Sequence, residues 1–265
     1  MRRLIYMICV MALVACEKEI TIDYHGHDTR YVVEGKIDGS GTEVRVSKTN
    51  AMDNNATGSD VDNATVKITA DDGTSIYIPF ERNGYYRMRN LRGVAGTTYQ
   101  LDVEVDGQHF TSTSTMQRTP KMNEFRLVWK KMLTERYLFG DLRLQDIANE
   151  TNWYFMHIYR NGLGYRWAVM KDDKNPNKEL QQLFTFFRDG EGGSDVLRDG
   201  DQLRIVIRAI DQRAYDYLYS MQQMSNTGTN PIDNFTGGCL GYFSAHSEIE
   251  FYREFHLSDV VEDEE

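Results

Sequence analysis

The chain reads as mainly β: an antiparallel β-sandwich over residues 30–119, then a second β-rich domain over residues 120–257 carrying one long helix. Three observations predict this. Apolar residues recur with period two between Tyr31 and Met116, the spacing that puts alternate side chains on one buried face of a strand. Glycine-bearing turn sequences punctuate those runs. Aromatic side chains are abundant, 16 Tyr and 12 Phe against 4 Pro, a mix that favours strands.

At the N-terminus, Met1-Arg2-Arg3 is cationic and Leu4 to Val14 is apolar. That run is shorter than the roughly 20 residues a membrane helix needs and fits a secretory leader. Leu13-Val14-Ala15-Cys16 sets small residues before a cysteine, which resembles the recognition site of bacterial lipoprotein signal peptidase. Residues 1–15 are therefore expected to be a signal peptide, Cys16 the acylated first residue of the mature chain, and residues 16–29 a tether. Each buried methylene of the acyl chains contributes about 0.8 kcal/mol, so the expected state is anchored without spanning. The formal charge of −10 becomes two units more negative without Arg2 and Arg3. That balance argues against nucleic acid and against docking on anionic lipid by charge alone. Of three cysteines, Cys9 falls in the leader and Cys16 carries lipid. Cys239 is left without a disulfide partner and is read as a small buried side chain.

In the first domain, Glu43–Ser47, Thr65–Thr69 and Gln100–Val105 alternate, which places Val44, Val46, Val66, Ile68, Leu101, Val103 and Val105 inside. Asp38-Gly39-Ser40-Gly41, Asp72-Gly73 and Asp106-Gly107 supply hairpin turns. About seven strands follow from this spacing, with Met52–Asp62 as a loop. Gly84-Tyr85-Tyr86, Asn90-Leu91-Arg92-Gly93 and Gly96-Thr97-Thr98-Tyr99-Gln100-Leu101 together resemble transthyretin-like and carboxypeptidase-regulatory-like domains, close to an Ig-like sandwich. The resemblance implies that Tyr99 packs at a sandwich corner.

Thr119-Pro120 marks the expected boundary. Beyond it, strands are expected at Glu124–Trp129, Leu138–Leu144, Trp153–Tyr159, Leu183–Phe187 and Leu203–Ile210, with a hairpin turn at Gly162-Leu163-Gly164. The nearly continuous apolar run Trp153–Tyr159 predicts a central strand covered on both faces. A helix over about 212–225 follows, capped by Asp211 and ended at Asn226 or Gly228, with Ala214, Leu218 and Met221 facing the core. Tyr215 and Tyr217 point to different sides, one to the core and one to a partner. Strands resume at Leu240–Ser244 and Ile249–Phe255, where Gly237, Gly238 and Gly241 suggest a bulge or close backbone approach. Residues 258–265 form an acidic tail.

Taken in order, the lipobox, Tyr31-Val32-Val33-Glu34-Gly35, Arg198-Asp199-Gly200-Asp201, Ala214-Tyr215-Asp216-Tyr217, Asn230-Pro231 and Gly238-Cys239-Leu240-Gly241-Tyr242-Phe243-Ser244-Ala245 resemble the Bacteroidota outer-membrane lipoproteins grouped as domain of unknown function 4249. The resemblance spans nearly the whole mature chain. It implies a lipoprotein encoded beside a TonB-dependent transporter and serving nutrient uptake; it brings no catalytic residues with it. Glu17-Lys18-Glu19-Ile20 partly matches the acidic signal that sends such lipoproteins to the outer face, so the cell surface is the expected location.

No nucleophile elbow, zinc-protease helix, phosphate loop or dinucleotide fingerprint occurs. His25-Gly26-His27-Asp28 is the densest group of metal-ligand types and is read as tether polarity. His109, His157, His246 and His256 are scattered through strands. The loop Asp189–Asp195 lacks the spacing of a calcium loop. Asp141, Asp146 and Glu150 show no acid/base spacing. Trp129, Trp153 and Trp167 sit at core-like strand positions, with sugar stacking the other reading. No catalytic, cofactor or metal site is expected. The leading expectation is a non-enzymatic lipoprotein that captures or gates a small ligand for a transporter, through loops such as Met52–Asp62 and Asp172–Lys178. A structural or adhesive envelope protein, and a hydrolase with an unrecognised site, are the alternatives.

Replacing Cys16 with Ser is expected to move the protein from the membrane pellet to the soluble fraction after ultracentrifugation. Unchanged sedimentation would contradict acylation at this position.

Overall fold

The computed structural model describes residues 29–49, 59–145, 147, 149–172 and 179–262. The leader, Cys16 and nearly all of the tether lie outside them. The first half forms β1 (Tyr31–Asp38), β2 (Gly41–Lys48), β3 (Ser59–Asp60), β4 (Thr65–Ala70), β5 (Ser75–Tyr77), β6 (Phe80–Arg82), β7 (Tyr85–Met88), β8 (Thr98–Val105) and β9 (Gln108–Thr115). The second forms β10 (Met122–Met132), β11 (Glu135–Leu144), β12 (Trp153–Arg160), β13 (Leu163–Lys171), β14 (Leu180–Arg188), β15 (Gln202–Ile210), helix α1 (Gln212–Thr227), β16 (Leu240–Ala245), β17 (Ser247–Glu254) and β18 (Val261–Glu262). The protein is mainly β with one α-helix among the described residues.

Among the described residues, four sheets make two sandwiches. In the first, the sheet β16-β1-β2-β7-β6, with β3 on β2, faces β5-β4-β8-β9. The alternating residues expected to be inside are inside: Val44, Val46, Val66, Ile68, Leu101, Val103 and Val105 share one buried cluster. Short edge strands raise the count above seven, because β3, β5 and β6 carry too few residues to show alternation. Buried Tyr99 accepts the Val94 backbone N–H at 2.9 Å, the corner contact that the domain resemblance implied. Tyr86 does similar work between strands, accepting from the Ala64 N–H and donating to the Val61 carbonyl.

In the second sandwich β14-β11-β10-β18 faces β13-β12-β15-β17. Leu127, Leu138, Leu142, Met156, Ile158, Leu203, Ile205 and Ile207 fill its core. The β12–β13 turn is the two residues Asn161-Gly162, with φ of 51° and 83°, the mirror-image turn whose twist suits a hairpin.

The structure departs from the sequence expectation at β16. The sequence pattern places residues 240–245 in the second domain, yet β16 completes the first sandwich. It pairs in parallel with β1, Gly241 opposite Val33 and Phe243 opposite Gly35, so that sandwich is not wholly antiparallel. Parallel pairing needs a long connection between its strands, and here the whole chain from β2 through the helix lies between β1 and β16. Phe243 and Cys239 are buried in the first core. A Cβ on Gly35 would stand 2.6 Å from Leu101 Cδ2 and 3.0 Å from the Phe243 ring; glycine there is what admits Phe243. Gly241 has φ of 101°, and a Cβ on it would stand 2.0 Å from the Val33 carbonyl oxygen. The close backbone approach foreseen for this glycine cluster is therefore present.

One residue later the same ribbon enters the second sandwich. His246 separates β16 from β17, which pairs antiparallel with β15 through eight residue pairs. Polar clamps hold the crossing. Asp211 accepts the Ala214 N–H that caps α1 and the Thr115 N–H at the end of β9, both at 2.9 Å. Asn234 Oδ1 accepts from the Phe243 N–H and the Ser112 hydroxyl. The Ser114 hydroxyl accepts from the Ala245 N–H, and Ser247 donates to the Gln117 carbonyl.

Helix α1 ends at Gly228 in the left-handed conformation. Ala214 and Leu218 pack on Phe155 and Ile210. Met221 does not continue that face and is exposed, because beyond Leu218 the helix leaves the packed cluster. Tyr215 and Tyr217 are not split between core and partner. Both pack against the same cluster, Tyr215 stacking on Tyr219 and Tyr217 on Tyr242.

Gly241→Ala is expected to cost about 3 kcal/mol or more of stability through its positive φ and the Val33 clash. Phe243→Ala is expected to cost about 3–5 kcal/mol. Urea denaturation followed by circular dichroism checks both.

Candidate functional site

The ribbon that joins the sandwiches also brings two outer sheet faces together. Along β16, Phe243 and Ala245 point into the first core, so Tyr242, Ser244 and His246 point out of it. On the first-sandwich side the neighbouring outward residues are Glu34 and Lys36 of β1, Glu43 and Arg45 of β2, and Tyr85 of β7. With Gly35 and Tyr242 they line an open cleft of about 320 Å³.

All the lining comes from the first-sandwich sheet; beyond Tyr242 lies the outer face of the second sandwich, its rows set by register. Phe155, Arg208 and Glu248 lie abreast on β12, β15 and β17; His157, Val206 and Glu250 form the next row, and Tyr159, Arg204 and Tyr252 the one after. Trp167 of β13 stands beside His157. Arg204 lies over the Tyr159 ring at 4.1 Å and Arg208 over Phe155 at 5.4 Å. His157 stacks on Tyr159 with centroids 4.1 Å apart. Tyr242 bridges the two faces: burial raises its pKa, with Arg208, Glu34 and Tyr159 close enough to act on the hydroxyl.

Nearly every charge here has a partner. Lys36 pairs with Asp38 at 3.0 Å, Arg45 with Asp60 at 3.4 Å and Glu34 at 3.8 Å, and Arg87 with Glu43 and Glu81 at 2.5 Å. Arg204 pairs with Glu250 and Arg208 with Glu248, each at 3.0 Å. The histidines are held neutral. Burial, then the positive charge of Arg208 and Lys36 against the opposing pull of Asp38, takes His246 down to about 3. Burial with Arg208 and Arg204 takes His157 down to about 4. His246 Nδ1 meets the Ser244 hydroxyl at 3.1 Å, and its buried Nε2 has no hydrogen-bond partner. A larger hollow of about 490 Å³ lies at the linker, lined by Arg118, Thr119, Pro120, Lys121, Gln145, Ile147 and Tyr154. It lacks the convergence of aromatic rings with both signs of charge that distinguishes the first cleft.

The residues singled out from sequence divide clearly. Cys16, His25, His27, Asp28 and Asp146 lie outside the described residues, as do most of the loops 52–62 and 172–178. Cys239 is buried, and burial pushes its thiol up to about 12, far from a reactive thiolate. The loop Asp189–Asp195 is tied by arginines: Asp189 to Arg136, and Asp195 to Arg166, whose hydrogen bond lowers the Asp195 pKa. Among the described residues no group of three or more His, Cys, Asp or Glu is placed to hold a metal. Asp141 is buried under Gln181, Arg126 and Arg143, while Glu150 pairs with Arg118, so they form no acid/base pair. Trp129 is core, Trp153 packs beside α1, and Trp167 is partly exposed on the cleft-side sheet. His109 and His256 are exposed and apart from the cleft. Glu34, Lys36, Arg45, Tyr85 and Tyr242 were missed as site residues. Their signal was present only as the outward half of alternating strands, and it takes the β1–β16 pairing to converge them.

Fold and cleft together define a two-sandwich β protein with a polar, aromatic-lined recess at a braced domain junction. The chain belongs to the family described as Domain of unknown function (DUF4249), whose model matches residues 17–250. No curated protein matches it significantly. Among solved structures, a two-fibronectin-type-III segment from chicken tenascin aligns at 12% identity over 86% of this chain and 100% of that one, with a TM-score of 0.24. A DUF4785 family protein from Legionella pneumophila aligns at 12% identity over 67% of this chain and 52% of that one, with a TM-score of 0.27. Both superpositions are too loose to define a shared fold.

His246 makes stability depend on pH. Its folded value lies below the ordinary 6.5, so the unfolded chain takes the proton first. The stability that His246 contributes is fully present above pH 6.5 and is lost as pH falls from there toward about 3. Asp211, held above the usual carboxylate range by burial, works in the opposite direction. His246→Gln is expected to flatten the wild-type loss between pH 6.5 and 4, read from denaturation midpoints; an unchanged slope would contradict the assignment.

Proposed function

We propose that this chain is an outer-membrane lipoprotein, acylated at Cys16 and facing the cell surface, that assists a TonB-dependent transporter as a non-catalytic ligand-capture or gating body in nutrient uptake. The observation that carries the reading is the cleft beside Tyr242: a ligand-sized recess on a junction crossed by ladder pairing in both sandwiches. A body held by lipid beside a transporter raises the local concentration of whatever it holds. The order of motifs from Cys16 to Ala245, and the family match over residues 17–250, support the envelope setting. The Cys239 thiol near 12 and the neutral, buried His246 favour binding over nucleophilic chemistry. No cofactor enters this reading.

Affinity purification of the full chain from detergent-solubilised outer membranes tests it. Repeated recovery of one barrel transporter, lost on Cys16→Ser, is the expected outcome. Repeated recovery of no barrel protein would contradict it.

A further inference from the structure

Resting on the reading of the Tyr242 cleft as a ligand site, we propose that it takes a neutral, polyhydroxylated ligand: the end of a sugar chain, with a ring face against Tyr242 and hydroxyls shared between Arg45 and Glu34. Charge comes first. The cations lining the cleft each have a carboxylate partner, and Glu34 and Glu43 flank Arg45, so an anion meets carboxylates on either side. A cation meets Lys36 and Arg45. A hydroxyl suits both, since it donates to a carboxylate and accepts from a guanidinium at once.

Arg45 is the second observation. Its Nε is buried without a hydrogen-bond partner, although its terminal nitrogens reach Glu34 and Asp60. That Nε is shielded from a ligand, but the ion pairs of the terminal nitrogens are long, at 3.8 and 3.4 Å, so those nitrogens keep donor capacity that a neutral oxygen meets without adding charge. The Glu34 contact with Arg45 is long, at 3.8 Å, which leaves that carboxylate with acceptor capacity for a donated hydroxyl proton.

The aromatic platform is the third. Tyr242 lines the cleft and is backed by Tyr217, ring centroids 5.1 Å apart and nearly parallel, so its position is set before any ligand arrives. A rigid ring flanked by hydrogen-bonding groups suits a sugar, whose C–H face is apolar and whose rim is hydroxylated. The cleft volume of about 320 Å³ falls at the low end of ligand pockets, about 300–1,000 Å³. That size favours a chain end over a large fused ligand.

The test is affinity electrophoresis of the detergent-solubilised full chain in gels cast with neutral polysaccharides (starch, xylan, galactomannan, mixed-linkage β-glucan) or with acidic polygalacturonate. Retardation by at least one neutral polysaccharide and none by polygalacturonate is expected. Arg45→Gln and Tyr242→Ala should each weaken retardation about tenfold, a factor worth one decade in Kd. Arg45→Gln is the decisive variant because it leaves the Tyr242–Tyr217 stack intact; unchanged thermal melting confirms its fold. Retardation by no neutral polysaccharide, retardation by the acidic one alone, or full affinity in Arg45→Gln would each overturn the proposal. Co-purification of a transporter without sugar binding would defeat only the ligand class, and sugar binding without a transporter only the transporter role.

Discussion

Residues Leu240–Glu254 belong to both sandwiches at once, and the rest of the architecture depends on that shared ribbon. Its first half is hydrogen-bonded to β1 and its second half to β15, with His246 alone between them. Rotation of one sandwich against the other about His246 strains the bond from its N–H to the Ile37 carbonyl and the Asp211–Thr115 and Ser247–Gln117 bonds beside it. Each backbone hydrogen bond contributes only about 1 kcal/mol net, but leaving buried groups unpaired costs more. Asp211, Asn234, Ser114 and Ser247 tie further points across or beside the same crossing, and α1 packs on Phe155 and Ile210 while stacking Tyr217 on Tyr242. The junction behaves as continuous structure, where two domains joined by a linker alone would by default move against each other.

That continuity is what lets a recess at the junction keep its shape. The outer faces of β1–β2–β7 and of β12–β15–β17 are charged, as outward strand faces normally are. The unusual feature is the compensation: arginines on β15 answer glutamates on β17, and arginines on β2 and β7 answer carboxylates on neighbouring strands. Paired in this way the walls carry many donors and acceptors with little free charge. His246 and His157, pressed below their ordinary range, add polar atoms without adding cations. A site of this kind discriminates by hydrogen-bond geometry and ring stacking, with long-range attraction playing a small part.

Much of this was legible in the sequence because periodicity reports burial. The inward residues of β2, β4 and β8, the Asp211 cap, the Gly228 stop and the buried Cys239 all follow from local pattern, and the Tyr99 corner from the domain resemblance. What local pattern could not reveal was the partner of β16. Its run Leu240–Ser244 reads as a strand, but nothing within it says that Phe243 belongs beneath Gly35, some two hundred residues earlier. Only the glycines hinted at it, since a residue that must pass within van der Waals range of another backbone leaves that trace. Met221 failed for a related reason, as helical spacing identifies a face but not where the supporting core stops. The cleft was illegible because it is made of the outward halves of strands, residues whose alternation marks them as solvated and which only the β16–β1–β2–β7 pairing sets side by side.

Differential scanning calorimetry of the purified full chain tests the shared ribbon most directly. A single transition whose calorimetric and van't Hoff enthalpies agree is the predicted result, because unfolding either sandwich removes the Asp211–Thr115 and Ser247–Gln117 bonds and the helix contacts that the other uses. Two resolved transitions, each with the enthalpy of one sandwich, would show the halves to be independent and would contradict it.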